Sequence, residues 1–206
     1  MEVLQHTITN ESIQKGLENA MSYQAFRNLV KTLTNEGGTT GNEQTEAFIG
    51  YTKLNESRMK RWDKTLKISE KDAKTIQNYK KSITWLVIAE SWCGDAAHVL
   101  PMINKVAELN ANITFKIVFR DENEALMNQF LTNGGKSIPK LIMIDNEQEE
   151  VVNTFGPRPT VATQLVNDYK AEHGVLSPEF KTSLQTWYNL DKGQSTLQDL
   201  IELLRY

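Results

Sequence analysis

Cysteine is almost absent from this chain: Cys93 is the only one in 206 residues. That excludes an intrachain disulfide and a cysteine-rich metal cluster, and it fits a reducing compartment while leaving an intermolecular disulfide open. Histidine is nearly as scarce, with three in the chain, against the three or four convergent ligands that a zinc site needs. Strong charge of either sign is missing too. A formal net charge of −3 and a pI near 5.7 give no long-range attraction to phosphate backbones or anionic lipid, so nucleic acid and membrane are not expected partners. No apolar run is long enough to span a bilayer, and "MEVLQHTITNESIQKG" lacks the pattern of a secretory signal, so the expected compartment is the cytoplasm. What remains is an ordinary globular composition, 39% hydrophobic and 24% charged, with a mean hydropathy of −0.47.

The first eighty or so residues carry apolar residues at spacings of three and four, with no strand-like alternation. Asn10 or Ser12 is placed to cap a helix containing Ile13, Leu17 and Met21, and a second helix carries Tyr23, Phe26, Leu29, Val30 and Leu33. "NEGGTTGN" ends that helix and offers Asn42 as the next cap, before a stripe of Phe48, Tyr51, Leu54, Met59, Trp62 and Leu66 that reads as core. Ser69 with Asp72 starts a further helix. From Trp85 the pattern changes. "WLVIA" reads as a strand covered on both faces, a helix runs from Gly94 to Leu109, and "ITFKIVF" is a second strand, parallel to the first. Asp121 with Glu124 suggests a capping box for a helix with Leu126, Met127, Phe130 and Leu131. "KLIMID" and "EVVNTF" are joined by so short a polar link that they must form an antiparallel hairpin. After "GPRP" come a helix with Val161, Leu165, Val166 and Tyr169, a helix capped by Ser177 with Pro178 at its first position, and a last helix with Ser195 and Gln198 as its capping box.

Between residues 82 and 175 this order, together with its motifs, resembles a thioredoxin domain. "WCGDA" is similar to the family's W-C-G-P-C, with Trp92, Cys93 and Gly94 matching, Asp95 in place of proline and Ala96 in place of the second cysteine. Pro101, eight residues after Cys93, matches the proline of the active-site helix; "SIPKLIMID" is similar to the loop in which a cis-proline, here Pro139, faces the nucleophilic sulfur; and Gly156 sits where the family often has a glycine beside the substrate groove. The expected fold is therefore α/β: a thioredoxin-like mixed sheet in the order β-α-β-α-β-β-α, with a helical N-terminal region over 1–81 and a helical extension over 176–206. Those two additions have no counterpart in a plain thioredoxin.

A sulfur in the first turn of a helix lies near unpaired N–H groups and the positive end of the macrodipole, which favour thiolate. Asp95 opposes this as a nearby negative charge, although a helix-stabilising role suits it better than that of a catalytic acid. Cys93 can open a disulfide but, with Ala96 following, cannot resolve the mixed disulfide alone. The resemblance adds that a buried acid usually lies six residues before the first cysteine; here that position is Val87. Glu90 is the nearest substitute, though a solvated carboxylate at the sheet edge is the plainer reading. His98 reads as a structural or solvent-facing histidine, and His6 and His173 have no cluster around them.

The resemblance thus implies single-cysteine thiol–disulfide exchange, with Cys93 as nucleophile and Trp92, Ile138, Pro139 and Gly156 at the substrate groove, where Ile138 would pair through its backbone with an extended segment. Protein disulfides or low-molecular-weight thiols would be its partners, with no metal or organic cofactor. The alternative is a redox-inactive peptide-binding or adaptor module. The two part on whether Cys93 lies open beside a cis Pro139 or is covered by the added helices, for instance under Trp62 or Trp187.

Overall fold

The computed structural model describes residues 11–206. Helix α1 covers 11–18, followed by α2 (Tyr23–Glu36), α3 (Glu46–Thr65) and α4 (Glu70–Gln77). Next come β1 (Ile83–Ala89), α5 (Gly94–Ala107), β2 (Ile113–Phe119), the single turn α6 (Glu124–Met127), β3 (Lys140–Asp145) and β4 (Glu150–Phe155). Helices α7 (Thr160–His173), α8 (Pro178–Asp191) and α9 (Gln194–Leu203) close the described chain. This is the mixed α/β order expected, with helices added at both ends.

The sheet runs β2-β1-β3-β4. β1 lies parallel to β2, with Val87 opposite Ile117, and antiparallel to β3, with Val87 opposite Leu141; β3 and β4 form the antiparallel hairpin. Every residue of β1 is buried, which explains the unbroken apolar run over residues 85–89: this strand has layers on both faces and no solvent side to alternate toward. One continuous core joins β1, α5 and β3 to Phe26, Val30, Met59 and Trp62 of α2 and α3 and to Leu197 and Leu200 of α9. α7 and α8 stand apart, with a small cluster of their own around Ala162, Val166, Leu184 and Tyr188.

Several local expectations are corrected. Asn10 lies outside the described residues, and Ser12 is inside α1 instead of capping it. Met21 is not helical: its N–H and C=O exchange bonds of 2.9 Å with Ile117, covering the edge of β2. The cap of α3 is Thr45, not Asn42, because the loop first turns back to place the Asn42 N–H on Asp121. Asp121 therefore caps no helix, and α6 starts from Asn123 without a side-chain cap. Ser195 lies inside α9, which begins after Gly193 in the left-handed region, and its N–H and hydroxyl bond Asp191. Tyr51 and Leu54 are exposed, and so is Val161. The buried face of α3 instead takes in the polar Thr52 and Asn55, ahead of Met59 and Trp62.

Candidate functional site

The turn after β1 is built by polar side chains that reach it from the N-terminal region. The Asn55 amide donates to the Ser91 carbonyl at 2.9 Å, and the Ser91 hydroxyl meets Thr39, Thr40 and Thr52 at 2.8–3.1 Å. Glu90 is 1% exposed, which corrects its expectation as a solvated carboxylate. One of its oxygens accepts from the Thr40 hydroxyl and the other from the Asp121 N–H at 3.1 Å. Burial raises its pKa, a shift its hydrogen bonds oppose. Glu90 thus ties the loop after α2 to the ends of β1 and β2. Trp92, half-buried, stacks on Phe48 of α3 at 4.6 Å between ring centroids and has the Arg120 guanidinium 4.8 Å from its ring.

Cys93 is the N-cap residue of α5, with extended backbone and its sulfur accepting from the Ala96 N–H at 3.4 Å. The thiol lies 3.2 Å from the Ile138 carbonyl, to which it donates. The Ile138–Pro139 peptide is cis. Gly156 has φ +107, and a Cβ there would lie 2.2 Å from the Pro139 carbonyl oxygen, so close an approach of β4 to this loop admits only glycine. Trp92, Cys93, Gly94, Ile138, Pro139 and Gly156 thus share one small region. Val87, the position of the family's buried acid, is fully buried and apolar in β1.

The sulfur is not open. Cys93 is buried, and burial, aided by the negative charge of Asp95, pushes its thiol pKa up to about 12; the N–H groups of Ala96 and Asp95 and the charge of Arg158 pull the other way. The helix N-terminus alone would favour thiolate, but removing the sulfur from water outweighs it here. Asp95 lies in the first turn of α5, as expected, but buried and paired. It accepts from the Tyr188 hydroxyl at 2.9 Å and pairs with Arg158 at 2.6 Å, with its side chain 11% exposed. Burial raises its pKa while Arg158 and Tyr188 lower it.

His98, one turn further along α5, is 3% exposed. Its Nδ1 accepts from Trp62 Nε1 at 2.9 Å, which leaves the proton on Nε2 to donate to Gln185 Oε1 at 2.9 Å. Its ring stacks on Tyr188 at 4.3 Å, and burial lowers its pKa to about 4. It is a neutral structural histidine. Among the described residues no three His, Cys, Asp or Glu side chains converge as metal ligands would, and His6 lies outside them. The cover over the Cys93 turn is therefore α8, acting through Tyr188 and Gln185; the Gln185 amide lies 3.8 Å from where a Gly94 Cβ would be. Trp62 and Trp187 only buttress it, through His98 and Tyr188.

Sequence reasoning missed Arg58, Arg158, Gln185 and Tyr188. Their only signals were an arginine between two prolines in "GPRP" and polar residues on the inner faces of helices otherwise read by their apolar ones.

The family model described as Thioredoxin matches residues 41–170, more than half of the chain. The chain belongs to the thioredoxin family. A protein of unknown function from Pseudomonas aeruginosa is similar in structure, with a TM-score of 0.58 at 17% identity over 74% of this chain and 84% of that one. An HIV epitope-scaffold matches with a TM-score of 0.54 at 19% identity over 85% of this chain and 96% of its own. At these identities the likeness concerns the fold alone. No curated protein matches the sequence. Among the described residues no helix is long and apolar enough to cross a membrane.

Proposed function

We propose that this chain is a single-cysteine thiol–disulfide exchange protein held in a closed, latent form, with Cys93 as nucleophile and α8 as its cover. The observation that carries the reading is the double placement of one sulfur. It receives the Ala96 N–H at the start of α5 and lies 3.2 Å from the carbonyl of Ile138, the backbone that in this family pairs with substrate. In the reaction the Cys93 thiolate attacks one sulfur of a disulfide, the S–S bond breaks, and the departing thiolate takes up a proton. An external thiolate then attacks the mixed disulfide and returns Cys93, as required when Ala96 supplies no resolving thiol.

With burial pushing its pKa up to about 12, the Cys93 thiol stays protonated at neutral pH, so exchange needs the cover displaced. The way α8 is held supports such a displacement. Its apolar residues serve the separate α7–α8 cluster, whereas the site is met through Tyr188 on Asp95, Gln185 on His98 and Asn189 on Arg61. The burial of the same thiol favours a second reading, a redox-silent adaptor in which Cys93 only packs the turn.

Trapping separates the two. Wild type and Cys93→Ser are incubated with cell extract, and captured species are resolved without reductant. The exchange reading expects mixed disulfides on the wild type only. Equal reversible capture by both, with no covalent adduct even after Tyr188→Phe, would leave the adaptor.

A further inference from the structure

The cysteine turn is bordered by cations that lack carboxylate partners. Of the six arginines in the chain, Arg27, Arg120, Arg158 and Arg205 each pair with an acid. Among the described residues Arg58 and Arg61 pair with none within 4.0 Å, and both lie on α3 close enough to α5 for their charges to act on His98. Arg58 Nη1 lies 3.7 Å from where a Gly94 Cβ would be and donates to Asn55 Oδ1 at 2.8 Å. Arg61 donates to Asn189 Oδ1 on α8, its guanidinium 4.3 Å from the Trp62 ring. Each spends a donor on a neutral amide, which leaves most of a five-donor fork unused. Asp95, the carboxylate whose charge acts on Arg58, is committed to Arg158 and Tyr188.

Two like charges three residues apart on a helix repel, a cost that an anionic ligand would offset. The mutual effect is visible in Arg58, whose pKa is lowered by burial and then by Arg61. A planar guanidinium recognises carboxylate and phosphate alike through two parallel hydrogen bonds, and of the two the flat, smaller carboxylate suits the close surroundings of Gly94. The packing around Gly94 is close, with Arg58 at 3.7 Å and Gln185 at 3.8 Å of the same point, so a ligand that reaches it with α8 displaced is small.

We propose that Arg58 and Arg61 form an anion-binding rim beside Cys93, and that the thiol compounds recognised there are small and carboxylate-bearing. The inference rests on the exchange reading for its chemistry, but the rim stands or falls by binding alone.

Two measurements test it. In the first, the Cys93 adduct is followed by mass spectrometry with three disulfides of similar size: dithiodipropionate, which is anionic, neutral hydroxyethyl disulfide, and cationic cystamine. The anionic disulfide is expected to react about tenfold faster than the neutral one at low salt and cystamine more slowly still, with the differences shrinking as salt screens the rim. The Arg58→Gln, Arg61→Gln double variant should erase the preference. Equal rates for all three, or a preference that survives in the double variant, would overturn the proposal. In the second, the arginine Nε–Hε resonances are titrated with thiodipropionate, a thioether that cannot exchange, and with its diamide. Saturable shifts at Arg58 and Arg61 with the dicarboxylate alone are expected, and their absence would overturn the rim even if Cys93 exchanges freely. Shifts in a protein whose Cys93 never exchanges would uphold the rim and remove only the exchange reading.

Discussion

Helix α5 is held in two different ways along its length. Val99, Leu100, Met102 and Ile103 are each fully buried in the main core, Met102 against Gly193 at the start of α9. On its first turns the Asp95 carboxylate and the His98 imidazole are met by the Tyr188 phenol and the Gln185 amide of α8 and by the Arg158 guanidinium just before α7. Apolar packing is non-directional and scales with area, so it fixes the fold cumulatively. A polar seam depends on each partner in place, and losing one leaves others buried without a match. The difference teaches that the first turns of α5 answer to a few directional polar partners and the rest of the helix to the core as a whole, with Cys93, itself a member of that core, lying where the two meet.

The largest effect belongs on the core side. Leu86→Ala, at a fully buried site in β1, should cost about 2–5 kcal/mol in urea unfolding. In the fraction that remains folded, the Cys93 alkylation rate should be unchanged. A faster rate in folded protein would mean that the core and the seam are one unit.

The pH dependence sharpens the comparison next. His98 is held at about 4 in the fold against an ordinary value of 6.5, so the unfolded chain binds more protons between those limits. The contribution is fully present above 6.5 and is lost as pH falls toward 4, by roughly 2–4 kcal/mol at 1.36 kcal/mol per pKa unit. Comparing wild type with His98→Gln across this window isolates it from the carboxylates: wild type should lose stability more steeply toward acid. Parallel curves would show that His98 is not held neutral by α3 and α8.

Smaller effects fall on the seam. Tyr188→Phe removes a hydrogen bond to a carboxylate and should cost about 1.5–3 kcal/mol, read as a shift in the urea midpoint. Asp95→Asn removes the negative charge beside the thiol, so the Cys93 pKa should fall below about 12, measured from the pH dependence of alkylation. An unchanged thiol pKa would leave burial as the whole cause.

Much of the sheet was legible because its signals are local and repeated. "ITFKIVF", "KLIMID" and "EVVNTF" became strands with the expected limits, and their connection lengths dictated parallel or antiparallel pairing. The grouping of Trp92, Cys93, Ile138, Pro139 and Gly156 followed from the family pattern. Helix faces were less legible when polar residues were buried: Thr52 and Asn55 look like solvent positions until the Ser91 turn gives them partners. The cover was not legible at all, since Asp95, Arg158 and Tyr188 are far apart in sequence and converge only when α7 and α8 fold back over α5. Asp95 therefore read as a first-turn charge, and Glu90, held from a distant loop, as a solvated one.

The most direct test of a latent thiol is the iodoacetamide reaction of Cys93 across pH, in wild type and in a Tyr188→Phe, Gln185→Ala variant shown by circular dichroism to be folded. A covered nucleophile predicts slow alkylation in wild type with a midpoint toward 12, and in the variant at least tenfold faster reaction with the midpoint moved down toward an ordinary thiol's value of about 8.5. Equal rates in the two proteins, with an ordinary midpoint already in wild type, would contradict the claim that α8 holds this site closed.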